Sequence, residues 1–203
     1  MKKNQKIAIF LLAFALLIVV LSGLEFVDQW ESDVIIAGPG VSRTAKLSDY
    51  FPELEGEYCD TPIYFLESNE PGGTVVVLGG THPNEPSAML SAVMLVENAV
   101  LTKGRMIVIP QANLSGYSHN DPQEGSPRKI HFETPYGRRA FRYGSRATNP
   151  IHQWPDPDIY INQFGQSLSG SETRNLNRGY PGDPEGNYTE KICYGIMEVI
   201  RKE

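Results

Sequence analysis

Gly79-Gly80-Thr81-His82-Pro83-Asn84-Glu85 sets an imidazole and a carboxylate three residues apart, directly after the run Thr74-Val75-Val76-Val77-Leu78. A loop leaving the carboxyl end of a strand is where open α/β sheets hold ligands. Imidazole nitrogen and carboxylate oxygen together suit Zn²⁺, and a catalytic zinc takes three protein donors and leaves a position for water. His82 and Glu85 are therefore read as metal ligands. The competing reading is plainer: Glu85 complements the positive end of the following helix, and His82 fills a turn. His-x-x-Glu alone is a weak signal, and its place between strand and helix gives it weight.

A second cluster is Asn175-Leu176-Asn177-Arg178-Gly179-Tyr180-Pro181-Gly182-Asp183. A guanidinium fork pairs with a carboxylate through two parallel hydrogen bonds, and a neighbouring amide adds a donor. Asn177 and Arg178 therefore suit the anionic end of a substrate. Taken by itself, the same segment also reads as a surface turn with a solvated arginine.

The elements that must position these residues are legible as patterns. Thr74–Leu78 is β-branched and apolar, a run that suits a strand covered on both faces, and Gly79-Gly80 ends it. Pro86 to Glu97 has helix composition with proline in the first turn, and Met89, Val93 and Val96 share a face. Gly104 is a plausible stop, and Arg105 to Pro110 reads as a second buried strand. Strand, helix, strand predicts a βαβ unit. From Gln111 to Gly170 the periodicity fades into Pro, Gly, Asn, Ser and Arg, read as an irregular insertion over the active face with short strands near Asp158–Ile161. Asn187 to Lys202 returns to helix, with Ile192, Ile196, Val199 and Ile200 on one face and Asn187 or Thr189 as cap.

Together, the two motifs in this order resemble the succinylglutamate desuccinylase/aspartoacylase branch of the zinc carboxypeptidase superfamily, over roughly residues 73 to 203. In that family the GG-x-H-x-x-E loop supplies two zinc ligands and a D-L-N-R-x-F-P-G loop holds the substrate carboxylate. The resemblance implies a mixed, partly parallel sheet with flanking helices and zinc-dependent hydrolysis of amide bonds. It gives His82 and Glu85 to the metal and Asn177 and Arg178 to the carboxylate of an acylated amino acid or peptide. Gln111-Ala112-Asn113 stands where the family often has an N-P-x-G turn. Asn175 departs from the family's Asp, and the family's additional arginine has no clean match, Arg174 lying nearest. The third zinc ligand, a His beyond the next helix, and the later general-base Glu have no counterpart, because His82, His119, His131 and His152 all precede Arg178. The expectation is a chain that stops before its metal site is complete, as a fragment or as a truncated, inactive product. Two alternatives stand beside it: a membrane-tethered binding domain of the same fold without catalysis, and a zinc N-acetyl-sugar deacetylase. The deacetylase fits less well, its His-Pro-Asp-Asp-Glu loop being one residue longer.

The N-terminus adds a location. Lys2, Lys3 and Lys6 precede the uncharged run Ile7 to Leu24, long enough to span a bilayer. Residues 1–24 are read as a retained anchor, with signal cleavage near Ser22 as the alternative. The lysines stay cytoplasmic, which puts the rest outside. Residues 25–70 read as a juxtamembrane connector with edge elements, and residues 71–203 as a partial hydrolase domain. A net charge of -6 gives no support for nucleic-acid binding. Cys59 and Cys193 read equally as a disulfide or as two buried thiols.

Overall fold

The uncharged run from Ile7 forms helix α1 (Lys3–Asp28), described in a computed structural model that covers residues 3–121, 125–134 and 137–203. Lys2 lies outside the described residues, as do 122–124 and 135–136. α1 is 26 residues long, and its length and composition suffice to cross a membrane. It belongs to a unit of its own, Met1–Ser32, while Asp33–Glu203 forms the other.

In the second unit, β1 (Val41–Lys46), β2 (Pro62–Glu67), β3 (Thr74–Leu78) and β4 (Arg105–Ile109) form one sheet in the order β1-β2-β4-β3. β3 and β4 run parallel, joined through helix α2 (Pro86–Asn98), as the βαβ pattern predicts. β1 with β2 and β2 with β4 are antiparallel, so the sheet is mixed. The period-two alternation of a strand puts Ile63, Phe65, Ile107 and Ile109 on one face, and Tyr64, Leu66 and Val108 on the other. α2 covers the second face with Ala92 and Val96.

Two sequence expectations are corrected here. β3 lies at the sheet edge with Val75 48 % exposed, so it is less covered than its composition suggests. Composition reports what a strand tolerates, and its place in the strand order depends on partners far along the chain. α2 stops at Asn98, well before Gly104, whose φ of 75° instead turns the chain into β4.

The insertion follows β4. It holds a 3-10 turn at Leu114–Ser118, hairpin β5 (Lys129–Thr134) with β6 (Gly137–Arg142), and hairpin β7 (Ile159–Ile161) with β8 (Ser167–Ser169). Tyr117 and Phe141 pack with Met89 and Val93 of α2. Arg142 anchors β6 by a buried pair with Asp33, Nε to Oδ2 at 3.0 Å, and Gln111 Nε2 donates to the same carboxylate at 2.6 Å. Arg142 N adds a third bond, to Asp33 Oδ1 at 2.7 Å, so both oxygens of the buried carboxylate are met.

The short helix α3 (Leu176–Gly179) and helix α4 (Tyr188–Lys202) complete the fold. Asn187 and Glu190 form a reciprocal capping box at the start of α4. Ile192, Cys193, Ile196 and Val199 bury against the sheet face opposite α2, each large aliphatic contributing about 1.5–3 kcal/mol. Ile200 was expected on that stripe and is instead 44 % exposed, at its edge. Cys59 and Cys193 are both buried free thiols.

Candidate functional site

The loop after β3 needs two glycines. Gly80 has φ +59°, a left-handed conformation that favours glycine, and a Cβ at Gly79 would lie 2.7 Å from Ala92 Cβ and from the Pro110 carbonyl. Ala112 N donates to Gly79 O at 2.8 Å, and Asn113 N donates to Gly80 O at 3.1 Å, so the 111–113 segment clamps the loop. A turn closed by Glu85 N to His82 O at 2.9 Å then leads into α2 at Pro86.

Glu85 occupies the N-cap of α2 but makes no side-chain cap hydrogen bond. Its carboxylate turns away: Oε1 lies 3.2 Å from His82 Nδ1 and accepts from Arg146 at 3.0 Å. Helix-capping therefore does not explain where this side chain goes.

The second loop arrives beneath the first. Thr148 N donates to Arg174 O at 2.9 Å, and the Arg174 guanidinium donates back to Thr148 O at 2.6 Å and lies 3.0 Å from Asp156. Arg174, the nearest sequence match to a further substrate arginine, is thus buried as a brace for this loop. Asn175 is 1 % exposed, caps α3 by accepting from Asn177 N at 3.0 Å, and places Oδ1 3.0 Å from His82 Nε2. Asn177 Nδ2 lies 3.3 Å from the same ring nitrogen. The two tautomers divide these contacts: with Nε2–H the ring donates to Asn175 and turns its Nδ1 lone pair to the side of Glu85, where a cation would have to lie, and with Nδ1–H it donates to Glu85 and accepts from Asn177.

Arg178 is brought to the same cluster but faces a protein partner: Nε donates to Glu172 Oε2 at 2.8 Å, and the side chain remains 46 % exposed. Glu172 also accepts from Asn175 Nδ2 at 3.1 and 3.2 Å. These Asn175 bonds, helped by Arg178, outweigh partial burial and hold the Glu172 carboxyl below the usual carboxylate range.

The distances test whether a metal suits the first pair. Zinc bonds of about 2.0–2.2 Å at a tetrahedral angle put two donors roughly 3.4 Å apart, close to the observed separation. A ligating imidazole usually donates its other N–H to a fixed acceptor, the role open to Asn175. Among the described residues no third His, Cys, Asp or Glu joins them in a group fit to hold a metal. His119 is half-buried near Asp121, and partial burial pushes its pKa down to about 4. His152 is bonded to Ser115 at 2.7 Å, and His131 lies exposed on β5. Two neighbours in this cluster escaped the sequence reading. Glu172 sits six residues before Arg178, a spacing with no local meaning, and Arg146 lies in the insertion without any motif around it.

Neither a protein-family model nor a curated protein matches the sequence. Solved structures do. A succinylglutamate desuccinylase/aspartoacylase from Rhodobacter sphaeroides is similar at 19 % identity and TM-score 0.41, over 70 % of this chain and 30 % of its own. An aspartoacylase family protein from Mesorhizobium loti is similar at 19 % identity and TM-score 0.44, over 85 % of this chain and 41 % of its own. The ectoine utilization protein EutE (DoeB) from Ruegeria pomeroyi is similar at 21 % identity and TM-score 0.40, over 66 % and 28 %. The chain spans less than half the length of each. Two of the three carry in their names the family that the sequence motifs resemble.

Proposed function

We propose that this chain carries the substrate-facing part of a zinc-dependent amide hydrolase, acting on acylated amino acids or peptides through a carboxylate of the substrate. The observation that carries the reading is the meeting of two distant loops. His82 and Glu85 stand donor to donor at 3.2 Å, and Asn175, 93 residues away, holds the far side of the imidazole. His82 and Glu85 would hold the metal, and the reading requires a third donor and a general base besides them. Bound zinc supplies a polarised carbonyl and a water whose pKa falls to about 7.

The chain's own residues do the binding. Arg178 uses only Nε on Glu172, so its terminal nitrogens are available to a substrate carboxylate, and Glu172 keeps the fork in plane. Asn177 adds an amide donor beside it. Arg146, 43 % exposed and bonded to Glu85, offers a second cation at the rim. α1 is proposed as a membrane anchor, with Lys3 and Lys6 on the cytoplasmic side and the Asp33–Glu203 unit outside.

That no third donor joins the pair among the described residues favours one other reading, a membrane-tethered binding domain of this fold without catalysis. Zinc content after equilibrium dialysis of the full chain, with binding of an N-acylated amino acid, separates the cases. The hydrolase reading expects zinc uptake that His82→Ala abolishes and Arg178→Ala spares, with acylated amino acid binding lost in Arg178→Ala. Zinc uptake unaffected by His82→Ala would remove the metal assignment.

A further inference from the structure

A second concavity, of about 510 Å³, lies between the insertion and the start of α4, and its lining includes His152, Trp154, Tyr160, Tyr188, Glu185 and Lys191. That volume is in the range of small-molecule sites, and none of its lining residues belongs to the cluster around His82. We propose that it binds a small organic cation, such as a quaternary or alkylated ammonium group, against its aromatic walls.

Three of the walls are fixed from behind. The His152 ring stacks on Tyr58 at 4.1 Å and 8°, with Nδ1 bonded to Ser115 Oγ at 2.7 Å. Ser115 Oγ also accepts from Asn149 N at 3.2 Å, which ties this edge of the ring to the neighbouring backbone. Burial holds His152 below its ordinary pKa, which leaves it an uncharged ring at neutral pH. Tyr188 accepts from Cys59 N at 3.2 Å, and Tyr160 donates to Glu190 at 2.6 Å. The His152 and Tyr188 rings meet at 56° with centroids 6.1 Å apart, forming a corner. Rings held by their polar ends keep their faces for a ligand, and binding then costs little ordering of side chains.

The charges select the sign of the ligand. Lys191, the cation of the lining, is neutralised by Glu53 at 3.1 Å. Glu185 is exposed and makes no ion pair among the described residues. Arg174, a cation of the adjoining loop, is buried and turned to Thr148 and Asp156. Uncompensated carboxylate beside aromatic faces attracts positive charge, because each ring face carries the negative lobe of its quadrupole. Trp154, 82 % exposed, is the indole face a cation would meet.

The proposal stands apart from the hydrolase reading and is tested on the full chain in detergent micelles at fixed ionic strength. The probes are tetramethylammonium chloride, its neutral isostere tert-butyl alcohol, and N-acetylglucosamine, by isothermal titration and tryptophan emission. Saturable tetramethylammonium binding is expected, with the isostere at least tenfold weaker. Trp154→Ala should weaken it roughly 2- to 5-fold and Glu185→Gln about threefold. Trp154 is too exposed to matter much to folding, and circular dichroism of each variant checks this; Glu185→Gln gives a separate reading should Trp154→Ala misfold. Equal binding of cation and isostere, tighter binding of the sugar, no saturable binding, or affinities untouched by both variants would each overturn the proposal.

Discussion

Substituting Asn175 tests how the two loops are joined. This side chain places Oδ1 3.0 Å from His82 Nε2, accepts from Asn177 N, and donates to both oxygens of Glu172. Asn175→Ala removes an N-cap, about 1 kcal/mol, and takes away polar partners of the buried His82 ring and of Glu172, about 1–3 kcal/mol, so a loss of roughly 2–4 kcal/mol is expected. Asn175→Asp keeps the acceptors but replaces the donor to Glu172 with a like charge about 3.1 Å away. That repulsion is about 1.3 kcal/mol in a fully aqueous dielectric and about 5 kcal/mol at an effective dielectric of 20. Glu172 is 37 % exposed, which favours the low end, about 1–2 kcal/mol beyond the lost hydrogen bonds. Urea denaturation followed by near-ultraviolet circular dichroism at several pH values measures both variants. In the parent chain Glu172 has a lowered folded pKa, so its contribution is present above the unfolded carboxylate pKa and fades as pH falls through the folded value. In Asn175→Asp the crowded carboxylates have raised folded pKa values, so the penalty is greatest at neutral pH and shrinks in acid. The two curves converge on acidification, and Glu172→Gln in the Asn175→Asp background restores stability at neutral pH. If Asn175→Ala lies within about 0.5 kcal/mol of the parent chain, or Glu172→Gln gives no rescue, Asn175 is not the link described here.

Other outcomes follow from the packing. Cys59 and Cys193 are buried, and burial pushes the Cys59 thiol up to about 12, so Ellman's reagent should find no reactive thiol in the folded chain and both after denaturation. A titration that stays empty after unfolding would indicate a disulfide. Gly80→Ala forces a side chain into a left-handed backbone against Tyr117, and a loss of about 1–3 kcal/mol is expected in the same denaturation assay. Ile196→Ala should cost about 2–5 kcal/mol while Ile200→Ala costs under about 0.5 kcal/mol, and similar values for both would displace the assigned face of α4.

Much of the scaffold was legible because its signals are local. The apolar run Thr74–Leu78, the paired glycines, Pro86 and the Asn187–Glu190 box each act within a few residues, and α2, β4 and α4 formed close to where these cues put them. The same holds for His82 beside Glu85, which one turn brings together. What lay beyond reach was set by contacts between distant segments. The strand order puts β3 at an edge, a position decided by which strands pair with β4. Arg174 proved to be a brace because Thr148 and Asp156, 26 and 18 positions earlier, surround it. Arg146 and Glu172 enter the site, and Asn175 grips His82, through hydrogen bonds whose partners have no fixed spacing in the chain. Local sequence determined which groups were able to do chemistry, while loop closure across 93 residues decided which of them meet, since hydrogen-bond reach depends on distance in space and not along the backbone.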